Sequence, residues 1–231
     1  MDKVQTILAS KEEIQRYPLF KNLPSNNIHV ISTIEQCRQL QNELYSTTLF
    51  GFDSESKPTF NKGEVQTGPH LIQLSTLKNA YLFQVNAEIL NFLAPILSSS
   101  EQIKIGFGLK NDMHLFRKKN LILNNIIDLS KCFGHFGLNN PIGVKNAMAL
   151  LFQVNFPKSR TISTSNWARK ILSKQQIAYA AADAYAPVLI YQELQRLGIT
   201  LNSHFNTSYS SISRLKNTSQ PTNTNIETSN K

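Results

Sequence analysis

Two cysteines, one tryptophan and a shortage of acids set the first limits on this 231-residue chain. Cys37 and Cys132 stand alone, with no CxxC pair and no regularly spaced histidines. That excludes a disulfide framework and a Cys/His zinc site, and it suits a reducing compartment. No apolar run is long enough to span a bilayer. The first residues carry Asp2, Lys3, Lys11, Glu12 and Glu13 without an apolar signal core, which predicts no export. The expectation is a cytoplasmic protein of bacterial type with no membrane partner. No internal repeat is visible.

Acids number 15 against 24 lysines and arginines, a net charge of +9. The excess is spread along the chain, so it points only generally to a polyanionic partner such as nucleic acid. What is present is enough for a core: 41% of residues are hydrophobic, as in one soluble domain of ordinary size.

Capping-box spacings at Ser10/Glu13 and Thr33/Gln36 predict a short helix stopped by Pro18 and a second helix through about Leu44. Strands are expected over 27–32, 47–55, 103–106 and 126–128. The runs 70–77 and 80–85 are expected to form an antiparallel pair around Lys78 and Asn79. Helices are expected over 87–97, 109–118, 144–152 and 173–197, with loops at 57–69 and 157–166. This order predicts an α/β fold, a mixed β-sheet flanked by α-helices. Residues 1–27 read as an N-terminal extension with a short helix, 28–201 as the folded domain, and 202–231 as a disordered tail rich in Ser, Thr and Asn.

The scarce acids fall in suggestive places. Asp53 and Glu55, two apart at a strand end, point to one face. Tyr179 and Asp183, four apart in an alanine-rich helix, stack one turn above the other. Asp112 opens a helix after the strand at 103–106. Each alone reads more readily as a solvated strand end, a surface helix pair or an acid favoured by a helix dipole. Together they suit two hard divalent cations, Mg²⁺ or Mn²⁺, held about 3.5–4 Å apart for phosphodiester hydrolysis. Tyr179, a poor base with a phenol pKa near about 10, suits positioning of the attacking water.

GFDSE (51–55), GFGLKND (106–112) and YAAADAY (179–185) resemble the three motifs of the DEDD 3′–5′ exonucleases, in the subclass with tyrosine in the third motif. SNWARKILSKQQIAYAAADAY (165–185) is similar to a segment shared by ribonuclease D and Werner-type exonuclease domains, and LIQLS (71–75) also fits. The resemblance covers about residues 28–197. It implies a ribonuclease-H-like fold and metal-dependent removal of 3′-terminal nucleotides from DNA or RNA as nucleoside 5′-monophosphates. It further implies that Asp53, Glu55 and Asp183 hold a first cation, and that Asp53 bridges to a second supported by Asp112 through water. Tyr179 would orient the nucleophile. The partner implied is a single-stranded or 3′-ended nucleic acid. Counterparts of the helical domains that follow the catalytic domain in ribonuclease D, and of the helicase beside some Werner-type domains, are not expected here.

Further candidates for substrate contact are His114, Lys158, Arg160, Trp167 and Arg169, with Lys170 beside them. Trp167 reads as a packing anchor before a base-stacking platform, and the cations read equally as a solvated face. Asp128 reads as a buried hydrogen-bond acceptor. Two other functions fit parts of the chain. One is an inactive nucleic-acid-binding module of the same fold. The other is a dinucleotide-dependent oxidoreductase built on Gly106-x-Gly108 and Asp128, though Asn111 occupies its third glycine position.

Overall fold

The computed structural model describes residues 7–59, 63–65 and 67–201. The predicted tail at 202–231 lies outside them. Six strands form one mixed sheet in the order β1-β4-β3-β2-β5-β6: β1 Ile28–Ile31, β2 Leu49–Glu55, β3 Leu71–Ser75, β4 Ala80–Gln84, β5 Ile103–Gly106 and β6 Ile126–Asp128. Only β3 opposes its neighbours; β1 with β4, β2 with β5 and β5 with β6 pair in parallel. Strands β1, β2, β4, β5 and β6 therefore end along one common edge.

The helices are α1 Lys11–Arg16, α2 Ile34–Ser46, α3 Ala87–Ser98, α4 Lys110–Lys118, α5 Val144–Phe152, α6 Arg160–Ser163 and α7 Lys174–Arg196. Both expected capping boxes form, and Ser173/Gln176 adds a third at the start of α7. The structure differs at 157–166, expected as a loop: Ser159 caps the single turn of α6 by accepting from the Ile162 N–H. Four residues are too few for a helical period to register in the sequence.

Alternation along the strands divides the core in two. Phe50, Phe52, Ile72, Leu74, Tyr81 and Phe83 face α2, α3 and α4. Gly51, Leu71, Ala80, Leu82, Ile105 and Ile127 face the α5/α7 side. Small residues decide how close α7 comes: Ala180, Ala181 and Ala184 are fully buried, and a Cβ on Gly51 would lie 1.8 Å from the Ala184 carbonyl oxygen.

Lys104 is fully buried on the other face, with its Nζ donating to the carbonyls of Ile96, Ser99 and Gln102 at 3.1, 2.9 and 2.8 Å. Burial pushes its pKa down to about 8, and the three carbonyls, two at the end of α3 and one just before β5, satisfy all three of its protons. The N-terminal segment is tied to the body. Phe20 N–H donates to Asn155 O, Asn155 N–H to Pro18 O, and the Phe20 and Phe156 rings lie 5.0 Å apart.

Candidate active site

The site forms where β2 reaches the common strand edge. Pleating directs Asp53 and Glu55 toward α7, where Asp183 meets them from a buried helical position. One ligand oxygen from each of Asp53, Glu55 and Asp183 lies within 4.8 Å of the others. Asp53 also accepts from the Ser54 N–H at 2.9 Å, which orients its carboxylate. An all-oxygen donor set of this size fits one hard divalent cation, whose oxygen ligands sit at about 2.0–2.6 Å.

Asp112 is outside that trio. Ser54, between the two strand acids, faces the opposite side of the sheet, and its hydroxyl donates to Asp112 Oδ1 on α4. Asp112 nevertheless contributes to the field at Asp53 and Glu55. The resemblance already set Asp112 apart from Asp53, Glu55 and Asp183; the structure brings those three together and adds the tether of Asp112 to Ser54. Ser54 was not among the candidates; its signal is that a residue between two same-face strand positions must point the other way.

The electrostatics are those of crowded anions. Burial, then Asp183 and Asp112, hold the Asp53 carboxyl well above its usual range. Burial, then Asp53, push Glu55 to about 9. Asp183 and Asp112 are raised chiefly by burial. Lys158 opposes this, with Nζ 3.5 Å from Asp183 Oδ2. That oxygen is buried and has no hydrogen-bond partner. The Tyr179 phenol is raised by burial and then by Asp183 and Glu55 beside it, so it stays protonated at neutral pH.

A pH prediction follows from these directions. The folded state binds more protons than the unfolded one between the ordinary carboxylate range and about 9, the value at Glu55. Stability of the metal-free chain should therefore fall as pH rises through that window. A cation displaces the same protons, so its affinity should rise with pH. The expected results are a melting temperature in chelator that drops from pH 5 to 9, and Mn²⁺ binding at least about tenfold tighter at pH 8 than at pH 6. Mn²⁺ affinity independent of pH would count against the protonated cluster.

The remaining candidates separate clearly. Trp167 is 1% exposed, its Nε1 donates to Ser163 O at 3.0 Å, and its ring lies 6.1 Å from that of Tyr179. It packs beneath Tyr179, in line with the packing-anchor reading, and little of its ring is open for a base to stack on. His114 and Arg160 are exposed, on α4 and α6. Arg169 and Lys170 line a cavity of about 570 Å³ with His70, Gln84, Asn86 and Ile171. Gln84 Nε2 donates to the carbonyls of both basic residues, at 3.1 and 3.2 Å. The cavity adjoins the acids, because the His70 N–H donates to Glu55 O at 2.8 Å.

Asp128 Oδ1 accepts from the Gly108 and Ser130 N–H groups at 2.9 and 3.1 Å. Those bonds fix the loop between β5 and α4, and they occupy the acid that a ribose-binding reading would require. Among the described residues no helix is long and apolar enough to cross a membrane.

A family model described as 3′–5′ exonuclease matches residues 28–199. Among curated proteins, the chain is 25% identical over 198 residues to an exonuclease mut-7 homolog of Aedes aegypti, covering 75% of this chain and 27% of that protein. It is 30% identical over 161 residues to the mouse bifunctional 3′–5′ exonuclease/ATP-dependent helicase WRN, covering 65% and 11%. A 3′–5′ exonuclease of Arabidopsis thaliana is 29% identical over 153 residues, covering 64% and 52%. The chain thus spans about half or less of these relatives. Among solved structures, the Aedes aegypti Nibbler EXO domain superposes with a TM-score of 0.65 at 23% identity, covering 80% of this chain and 96% of that one. Escherichia coli RNase D superposes with a TM-score of 0.60 at 19% identity, covering 74% and 46%. These likenesses establish the ribonuclease-H-like exonuclease fold.

Proposed function

This chain belongs to the 3′–5′ exonuclease family, and from that premise we propose that it removes nucleotides one at a time from the 3′ end of DNA or RNA. The observation that carries the reading is the convergence of Asp53, Glu55 and Asp183 within 4.8 Å at the sheet edge, with Asp112 beside them. In this reading residues 28–201 form the catalytic unit. It belongs to the tyrosine subclass, since Tyr179 packs over Trp167 and borders Asp183 and Glu55.

Asp53, Glu55 and Asp183 would hold a first divalent cation. Asp53 and Asp112 would serve a second once Asp112 leaves Ser54. When bound, Mg²⁺ or Mn²⁺ activates water and stabilises the departing oxygen. Water adds to the scissile phosphorus, the bond to the preceding 3′ oxygen breaks, and that oxygen leaves as the new terminal hydroxyl. The product is a nucleoside 5′-monophosphate. Tyr179, protonated at neutral pH, would orient the water by hydrogen bonding. Lys158, drawn by Asp183, would turn to a phosphate oxygen.

Arg169 and Lys170 would receive the strand in the adjoining cavity. Neither has a carboxylate partner among the described residues, which leaves their charge for phosphates. His114 and Arg160, both exposed, are further contacts in this reading. A reducing cytoplasmic setting belongs to it as well, supported by free Cys37 and Cys132.

The test uses 5′-labelled single-stranded DNA, single-stranded RNA and recessed duplexes with Mg²⁺ or Mn²⁺, with and without chelator. A ladder shortening by single nucleotides from the 3′ end, abolished by chelator, is expected. Immediate internal fragments would indicate an endonuclease. Binding without cleavage would indicate an inactive module.

A further inference from the structure

The described residues contain three buried side-chain polar atoms without a hydrogen-bond partner: Asp183 Oδ2, and both Nε2 and Oε1 of Gln73. Asp183 is part of the carboxylate trio, and Gln73 neighbours the trio in the sheet. Gln73 is fully buried at the centre of β3, directly opposite Asp53 on β2 and Leu82 on β4. Residues opposite one another in an antiparallel pair project to the same face, with Cβ atoms about 4.5–5.5 Å apart. The Gln73 side chain therefore lies on the α7 side, within reach of the Asp53 carboxylate.

An orphaned buried amide is costly, because it gives up its hydrogen bonds to water and gains none in return. Its neighbours on that face include Leu71, Ala80 and Leu82, all fully buried, so a leucine or methionine would suit the packing better. A carboxamide in that position is explained by a use that the fold alone does not have. Carboxylates that hold cations are commonly fixed by a hydrogen bond from a second residue, and losing that residue typically weakens metal binding about 10–100-fold. Asp53 already accepts from the Ser54 N–H on Oδ1. On the β3 side the residue directly opposite Asp53 is Gln73, whose amide is a neutral donor; on the other side the pairing of β2 with β5 ends at Gly51, before Asp53.

We infer that Gln73 is a positioning residue for Asp53, its amide N–H donating to the Asp53 carboxylate when the site carries its cation. The inference rests on the cation-dependent reading of the site and adds a residue to it. Gln73 does not touch substrate; it fixes the angle at which Asp53 presents its oxygens.

The prediction is a divergence between folding and binding. Gln73→Leu, and Gln73→Met with its unbranched chain, are expected to keep or raise the melting temperature of the metal-free protein, because two orphaned polar atoms are removed. Both are expected to weaken Mn²⁺ binding by about tenfold or more, measured by calorimetric titration without nucleic acid. Unchanged Mn²⁺ affinity in both variants would overturn the inference. So would a matching loss of melting temperature and affinity in both, which would make Gln73 a packing residue. The titration is independent of nuclease assays: failure of the wild-type chain to shorten any strand would strike the proposed reaction, and the Mn²⁺ comparison would still judge Gln73.

Discussion

Asp53→Asn is expected to lower single-turnover cleavage by about 1,000-fold or more while making the metal-free chain more stable. The two effects share one cause. Burial and the neighbouring Asp183 and Asp112 carboxylates hold Asp53 far above its usual pKa, so the folded chain carries an electrostatic cost there. Asparagine keeps the size of the side chain and an oxygen that accepts from the Ser54 N–H, but it removes the charge a cation needs. Denaturant titration in chelator at pH 8 should show a gain of about 1–2 kcal/mol. Saturating Mn²⁺ should stabilise the wild type and leave the variant nearly unmoved, because only a binder of the folded state shifts its stability. A variant that stays active, or that loses stability in chelator, would contradict the carboxylate cluster as the catalytic centre.

The second large effect is expected at a residue with no side chain. A Cβ at Gly51 would meet the Ala184 carbonyl oxygen at 1.8 Å and Val188 Cγ2 at 2.8 Å. The nearer obstacle is helix backbone, so α7 itself must shift, and Ala184 immediately follows Asp183. Gly51→Val should therefore cost about 3 kcal/mol or more in stability and abolish Mn²⁺ binding together with cleavage. Gly134 has nothing within 4 Å of its added Cβ, and Gly134→Ala should stay within about 0.5 kcal/mol of wild type. Equal stability for the two variants would mean that α7 does not rest on β2 as described.

These expectations show which parts of the molecule can be read locally. The three capping boxes, the alternation in β2 and the four-residue spacing of Tyr179 and Asp183 all act within a turn of helix or a few strand residues. The helix α6 escaped because one turn leaves no period, although Ser159 capped it. Gln73 in LIQLS is visible as a polar residue in an apolar strand, but its orphaned amide depends on what packs over it. Nor does any local pattern reveal that Lys158, among several nearby cations, is the one against Asp183.

The sequence by itself determined the strands, the helices longer than one turn, the ordered acid motifs and the pairing of Asp53 with Glu55 and of Tyr179 with Asp183. Strand and helix periods dictate those directions without reference to the rest of the chain. Only the tertiary structure decided that Asp112 is drawn to Ser54, 58 residues away. It alone placed Trp167 against Tyr179, and it alone set Gln73 beside Asp53 without a partner. These outcomes arise where the sheet brings separate segments together, and which side chains meet there is set by register and by how closely α7 approaches the sheet.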